Sequence, residues 1–295
     1  MKPGRTISCI AAVLLSFSVT AAAEGNGGSF PISPAYFGPN AFPIPEMDFG
    51  RTSPHISLEV GSALFASRNF SLADEATATI NYRLTLPLFT DRVNLRIWGE
   101  AMDWYRCSAE ANAAKGVEGP SEGAWIGEVY LSTDIMVLRQ EKHFVNAVIR
   151  AALKSAAGEQ AHLRRYYDSP GYFFDATVGR EIGLGNDMSL NIAASAGFLC
   201  WQTAVSAQND AVMYGVAAAF NAGFFELKAH YGGYVGWQKN GDSPMSIRAE
   251  TGFRIKMFTI RLKYQEGLKD WPYRQFAVGL ETRFGRTGAT GVRNR

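Results

Sequence analysis

Residues 274–284 read RQFAVGLETRF, and the spacing of their apolar side chains indicates the class of the whole chain. Phe276, Val278 and Leu280 fall on alternate positions, whereas the residues between them are small or charged. Alternation with a period of two places the two sets on opposite faces of a β-strand. The stretch is therefore predicted to be a strand with one apolar face, one small or charged face, and the aromatic Phe284 at its end.

The same alternation recurs along most of the chain. It is cleanest in residues 76–89, where Ile80 and Leu84 share one face while Thr77 and Arg83 share the other. Most of the segments that fit have the length that a tilted strand needs to cross a bilayer. The predicted strands are 55–67, 76–89, 93–106, 125–138, 144–154, 172–182, 188–201, 212–220, 225–237, 245–254, 258–265 and 274–284.

The first 23 residues read as a secretory signal. Lys2 and Arg5 precede the apolar residues 7–19, and small residues up to Ala23 form the cleavage site. The remaining chain has no run of about 18 apolar residues, so no transmembrane helix is predicted. Cleavage removes two of the 29 basic residues and none of the 27 acidic ones, which leaves a net charge near zero. A neutral mature chain argues against a nucleic-acid partner.

The connections between the predicted strands alternate in length. Short connections are 90–92, 139–143, 183–187, 221–224 and 255–257; longer ones are 68–75, 107–124, 155–171, 202–211, 238–244 and 266–273. Outer-membrane barrels have short periplasmic turns and longer external loops. An even number of strands then places both chain ends in the periplasm and loops 107–124 and 155–171 outside the cell.

Aromatic residues are sorted by strand end in the way that a membrane barrel requires. The long-loop ends carry Trp104, Tyr105, Trp125, Tyr172, Trp201 and Trp237; the short-turn ends carry Phe89, Phe144, Phe220, Phe225, Phe258 and Phe284. Two such belts match the two membrane interfaces. The predicted fold is all-β, a single antiparallel transmembrane β-barrel of about 12 strands over residues 51–284. The phase of the strands points Cys107 and Cys200 outward and Met102 inward.

The predicted inner face is rich in charges of both signs. The candidate solute contacts on this face are Arg83, Arg96, Glu100, Glu128, Arg150, Lys228, His230, Arg248, Glu250, Arg261 and Lys263. One interpretation is a polar lumen that passes or binds a solute; the other is a filling of mutual salt bridges. The last four strands hold more Lys and Arg, which favours an anionic solute if one binds.

Residues 24–50 precede the first predicted strand and contain five prolines. Proline removes backbone donors and is excluded from central strands. Phe30, Tyr36 and Phe42 nonetheless need burial, so a free polar linker is not expected. The segment is predicted to pack in or under the barrel as a plug, with a periplasmic tail as the alternative. Residues 285–295 are predicted to form a periplasmic tail.

Loop 155–171 carries a second group of candidate contacts. Its arginines and tyrosines could bind lipopolysaccharide phosphates or an external ligand, and the alternative is a solvated loop over the barrel mouth. The candidates are Arg164, Arg165, Tyr166 and Tyr167.

No catalytic residue is predicted. Lipid-modifying barrel enzymes need a Ser–His pair or a metal on the lipid-facing side, and none of the four histidines is placed there. His230 points inward and is interpreted as a hydrogen-bonded lumen residue. No Cys and His cluster has metal-ligand spacing, so neither a metal nor another cofactor is expected.

Three stretches resemble known proteins: AYFGPNAFPIPEM near the N-terminus, RRYYDSPGYFFD, and the terminal VGLETRF. Together they resemble uncharacterised Gram-negative outer-membrane β-barrel proteins of the Bacteroidetes kind. The resemblance implies fold and outer-membrane location, and it brings no activity. The expected function is a passive or ligand-selective porin-like channel or a structural barrel; the alternative is a lipid-modifying enzyme or a surface-binding barrel. Expected partners are lipopolysaccharide and other outer-membrane lipid, and the barrel-assembly machinery during biogenesis.

Overall fold

The computed structural model describes residues 38–116, 119–155, 170–202, 208–237 and 239–285. The strands in these ranges are β1 (Ile56–Ser67), β2 (Glu75–Pro87), β3 (Val93–Cys107), β4 (Glu122–Trp125), β5 (Val129–Leu138), β6 (Asn146–Lys154), β7 (Gly171–Gly185), β8 (Met188–Gln202), β9 (Gln208–Ala222), β10 (Phe225–Gly236), β11 (Met245–Ile255), β12 (Phe258–Lys269) and β13 (Tyr273–Phe284). One short helix, α1, spans Ala109–Ala114. Within the described ranges, no helix has the length and apolar character needed to cross a membrane.

The strands close into one antiparallel barrel. Successive wall strands pair with each other, and β1 pairs with β13 from Ile56 opposite Phe284 to Ser67 opposite Tyr273. The stretch RQFAVGLETRF lies in β13 and joins the first strand to the last. Because β1 and β13 pair with each other, the sheet closes on itself and its first and last strands are not left as open edges.

Two short segments, β4 and β5, are parts of one wall strand. Both pair with β3 in a single register, with Asp103 opposite Trp125 in β4 and Gly99 opposite Val129 in β5. Residues 126–128 interrupt the strand between these points. The wall therefore has twelve strands, and the predicted all-β barrel is confirmed.

The outer face of the wall is apolar. Val60 on β1, Ile260 on β12 and Val278 on β13 are 47%, 41% and 51% exposed, although they are aliphatic. Hydrocarbon accepts such a face, provided that all backbone groups are paired within the wall. The wall thus combines the apolar exterior and the closed hydrogen bonding that a bilayer-spanning barrel requires.

A bulge in β3 changes which of its side chains face the lumen. Ile80 of β2 lies opposite Met102 but Asn81 lies opposite Glu100, so Ala101 is an extra residue in β3. An inserted residue disturbs the regular alternation of the strand. Beyond Ala101 the odd-numbered residues of β3 point inward, which brings Asp103 into the lumen.

The bulge overturns two predictions for the outer end of β3. Met102 lies opposite the outward-facing Ile80, so it faces outward and not inward. Cys107 is 2% exposed and packs with Tyr105 and Ala111, so it does not point outward from the wall. The sequence pattern conceals the bulge because the residues on both sides of it are a mixture of apolar and charged types.

The aromatic belts are only partly as predicted. At the short-turn end, Phe89 and Phe144 are 95% and 75% exposed, in agreement with the sequence. At the long-loop end, three of the predicted belt residues point into the barrel instead: Tyr105, Trp125 and Trp201. Trp201 is fully buried and its ring contacts that of Phe173. The position of a residue along a strand predicts its depth in the membrane. The alternation of side chains along the strand decides whether that residue faces the membrane or the lumen.

Helix α1 lies in a long connection that the sequence analysis leaves without regular structure. Ser108 caps its start by accepting a hydrogen bond from the backbone N–H of Ala111 at 3.2 Å. Just beyond it, Lys115 forms an ion pair with Glu75 and donates to the hydroxyl of Tyr273 at 3.3 Å. These bonds hold the connection against the long-loop end of the barrel.

Candidate functional site

A segment from the N-terminal part of the chain lies inside the barrel. We call residues 38–50 the lumen segment. Near the long-loop end, the indole N–H of Trp271 donates to the Pro39 carbonyl at 3.2 Å. At the short-turn end, the chain leaves the lumen where the Ser53 N–H donates to Asn94 at 2.6 Å. The segment therefore crosses the barrel from one end to the other.

The upper part of the lumen segment is held by apolar packing and amide hydrogen bonds. Ala41, Phe42 and Ile44 are at most 8% exposed and belong to one buried cluster with residues of the wall. The side-chain N–H of Asn40 donates to a carboxylate oxygen of Asp103 at 3.1 Å. Burying a side chain such as Phe42 contributes about 1.5–3 kcal/mol. This half of the segment is thus anchored mainly by the hydrophobic effect.

The lower part is held by charges. Glu46 forms ion pairs with Arg83 of β2 and, at 3.1 Å, with Arg248 of β11. Asp48 forms ion pairs with Arg96 of β3 at 2.9 Å and Arg150 of β6 at 3.4 Å. These four arginines come from separate parts of the wall, so two acids of the segment connect several strands across the lumen.

The pKa values of both acids favour this anchoring. Burial inside the barrel would by itself raise the pKa of Glu46, but Arg83, Arg248 and Lys263 together hold it well below its usual range. Burial also acts to raise the pKa of Asp48, but Arg96 and Arg150 outweigh it and lower the pKa. Both carboxylates therefore stay ionised at neutral pH and keep their ion pairs.

Glycines of the wall allow the segment to approach closely. A side chain at Gly179 of β7 would place its Cβ 2.4 Å from the backbone oxygen of Phe49. A Cβ at Gly215 of β9 would lie 2.1 Å from the sulfur of Met47. Glycine inside a strand often marks such an approach of another backbone. These two glycines and the two acids of the segment are not among the residues predicted from the sequence to contact a solute.

A second charge network lies on the wall itself, where the last four strands meet β1. The Arg261 guanidinium is 2.9 Å from Glu226 and 2.5 Å from both Glu250 and Glu281. Lys228 lies 3.1 Å from Glu226 and Glu250. Two of the cations that favoured an anionic solute in the sequence analysis, Arg261 and Lys228, are thus already paired with carboxylates of the wall.

The candidate contact Lys263 is likewise paired, at 2.7 Å from Glu59. The candidate contact Glu128 forms a fully buried ion pair with Lys154. Of the predicted lumen residues, Glu100 forms no ion pair with another described residue. The four loop candidates Arg164, Arg165, Tyr166 and Tyr167 lie outside the described residues.

Three histidines lie in the described part of the chain. His230 faces the lumen, where its ring meets that of Phe49 edge-on at 5.3 Å. Its Nδ1 has no hydrogen-bond partner among the described residues, which differs from the bonded lumen residue that the sequence predicts. His55 contacts the Gly285 carbonyl at the rim, and His143 is exposed beside a short turn. None of these three stands on the outer face of the wall at the middle of a strand.

A cavity of about 170 Å³ lies between the lumen segment and the wall. Aromatic rings and polar groups share its lining. The rings belong to Phe65, Trp98, Tyr130, Phe173, Trp201 and Trp271. The lumen is therefore filled in part by the segment and leaves room beside it for a small molecule.

Neither a protein-family model nor a curated protein matches the chain. Among solved structures, an outer-membrane channel from Pseudomonas putida F1 is 12% identical; the match covers 82% of this chain and 100% of the channel, with a TM-score of 0.55. The NanC porin is 6% identical over 77% of this chain and 100% of its own, with a TM-score of 0.48. The KdgM porin is 8% identical over 77% of this chain and 99% of its own, with a TM-score of 0.46. The match to the Pseudomonas channel shows that the chain has the fold of an outer-membrane β-barrel.

Proposed function

We propose that the protein is a porin-like channel of the Gram-negative outer membrane, and that the lumen segment narrows its pore. The observation that carries this proposal is the way in which the segment is attached. It crosses the lumen without joining the sheet, held by side-chain ion pairs, hydrogen bonds and apolar packing. A segment attached in this way can change its position in the lumen without opening the wall of the barrel.

The wall that the segment covers has the chemistry of a water-filled pore. Arg83, Arg96, Arg150 and Arg248 all point inward, and each pairs with an acid of the segment. Porin lumens are polar and hydrated. Withdrawal of the segment would therefore expose a charged channel and not an apolar core.

The rest of the chain is assigned in accordance with this proposal. Residues 1–23 form an export signal that is cleaved near Ala23, and residues 285–295 end in the periplasm. Loops 107–124 and 155–171 face the outside, where Arg164 and Arg165 contact lipopolysaccharide. The barrel-assembly machinery inserts the chain, and the barrel belongs to the Bacteroidetes-type group that its motifs resemble.

Planar-bilayer recording tests the proposal. A variant without residues 29–47 should remain a heat-modifiable folded barrel and should conduct in larger steps than the intact protein. A milder variant, Glu46→Gln with Asp48→Asn, should give larger or more variable steps because it removes the charged anchors. Glu141→Gln, an exposed acid in a short connection, is the matched control and should leave the trace unchanged.

Two results would overturn the proposal. A folded deletion variant that is as silent as the intact protein would mean that the lumen does not conduct. An intact protein and a deletion variant with the same step size would mean that the segment does not narrow the pore.

A further inference from the structure

The cavity beside the lumen segment has the size of a single ring. Its volume is about 170 Å³. An engineered protein cavity of about 150 Å³ holds benzene. Several aromatic side chains of the wall and Ile44 of the segment line the cavity. It can therefore take one small ring with a short substituent.

Glu100 is the acid in this lining that forms no ion pair with another residue of the described ranges. It lies opposite Asn81 in the sheet, one inward position from Arg83 on β2 and two inward positions from Arg96 on β3. Both arginines are instead paired with the segment, Arg83 with Glu46 and Arg96 with Asp48. The Oε2 atom of Glu100 is buried without a hydrogen-bond partner among the described residues.

Tyr130 supplies a second polar group without a partner. It is 3% exposed, lines the same cavity, and its hydroxyl has no hydrogen-bond partner among the described residues. Its ring stacks on Trp98, which lies opposite it in the sheet, with centroids 5.3 Å apart and planes 11° apart. Glu100 follows Trp98 on the inner face of β3, so the carboxylate, the hydroxyl and the stacked rings form one patch.

We infer that this patch binds a small organic cation, a primary amine carried on a ring-sized apolar group. An ammonium has three donors, and Glu100 and Tyr130 each offer an acceptor without a partner. Aromatic faces attract cations through their ring quadrupole, and the apolar part of the ligand replaces water against the rings. The buried Oε2 of Glu100 has no partner among the described residues, and an ammonium compensates the charge of the carboxylate, which a neutral group cannot do.

The protein already holds one of its own ammonium groups in the same surroundings. The Lys154 nitrogen pairs with Glu128 and lies 5.9 Å from the centre of the Trp201 ring. Trp201 also lines the cavity. An aromatic wall with a carboxylate beside it thus accommodates an ammonium within this part of the barrel.

The lumen segment is part of the site. It covers the cavity from one side, and its Glu46 engages Arg83, the arginine on the inward position next to Asn81. The inference rests on the proposed function in one respect, that small solutes reach the lumen. It goes further by naming their class.

The test is a fluorescence titration of the protein purified from outer membranes, because three cavity residues are tryptophans. The probes are benzylamine, benzyl alcohol and benzoate, which share one ring and differ in charge. At neutral pH, benzylamine should bind at least about tenfold more tightly than benzyl alcohol, since charge-assisted hydrogen bonds are roughly twice as strong as neutral ones. Benzoate should bind least.

Substitutions then locate the site. Glu100→Gln should remove the preference for the amine, and Tyr130→Phe should weaken amine binding while the protein stays heat-modifiable. Glu141→Gln should change nothing. Equal affinity for the three probes, no binding of benzylamine, or an unchanged preference in folded Glu100→Gln would each overturn the inference. Binding is measured without a membrane potential, so its outcome is independent of the conductance recordings. The binding inference can be confirmed when the channel proposal fails, and it can fail when the channel proposal is confirmed.

Discussion

Replacing Arg261 by alanine tests the charge network of the wall. Its side chain is only 7% exposed and contacts Glu226, Glu250 and Glu281. Removal of one partner from a buried ion pair costs about 3–5 kcal/mol, because the other charge is left without compensation. Lys228 still contacts two of the three acids, and Arg283 remains 2.8 Å from Glu281. We therefore expect a loss of about 3 kcal/mol, at the lower end of that range.

The matched control is Arg254→Ala on the neighbouring strand. Arg254 is exposed and forms no ion pair with another described residue, so its removal should cost less than about 0.5 kcal/mol. Both free energies of unfolding come from guanidinium titrations of the protein folded into lipid vesicles, followed by tryptophan fluorescence. If the two variants differ by less than about 1 kcal/mol, the network does not stabilise the barrel as argued.

Three further predictions concern depth, pH and orientation. Ile260→Arg places a charge on the lipid side of β12 and should destabilise the folded barrel by about 2–4 kcal/mol. The control Ile260→Leu should be nearly neutral in the same titration. Equal effects of the two substitutions would mean that Ile260 does not face lipid. Because the pKa values of Glu46 and Asp48 are lowered in the barrel, their ion pairs persist below the ordinary values of 4.5 and 3.8 and are lost only as the pH falls through the lowered pKa values. The conductance steps of the channel should therefore grow reversibly when the pH is lowered. This increase should be smaller in the double variant Glu46→Gln with Asp48→Asn. If the double variant shows the same increase, groups other than these two acids cause it. An epitope tag at Gly116, which has open space around it, should be labelled by antibody on intact cells; a tag at Gly223 in a short turn should be labelled only after lysis, and the reverse result would invert the orientation.

The strands could be predicted from the sequence because one face of each meets lipid. Continuous contact with hydrocarbon enforces an alternation that survives in single strands, as in residues 76–89 and 274–284. The bulge at Ala101 could not be found in this way, because an extra residue changes the phase without changing the composition. Trp201 shows a similar limit of prediction from the sequence. It lies at a strand end, where a belt residue is expected, but the alternation of side chains along its strand directs it into the barrel.

The attachments of the lumen segment were beyond the reach of the sequence pattern. Its prolines and aromatic residues indicate an ordered, buried segment, yet nothing in residues 38–50 identifies their partners. Glu46 meets Arg83 and Arg248, which lie 37 and 202 positions further along the chain. Only closure of the barrel brings these residues together. For the same reason, only the three-dimensional structure shows that Glu100 forms no ion pair with another described residue.

The most direct measurement of the lumen segment is a cross-link between Met47→Cys and Gly215→Cys. The Cγ of Met47 lies 3.0 Å from the Cβ position at residue 215, so the two Cβ atoms fall within about 4.5 Å, which a disulfide permits. Mild oxidation of the folded barrel should join the two cysteines, while Met47→Cys paired with Gly223→Cys should stay reduced. If the 47–215 pair remains fully reactive toward maleimide in the folded, oxidised protein, the segment does not occupy the lumen.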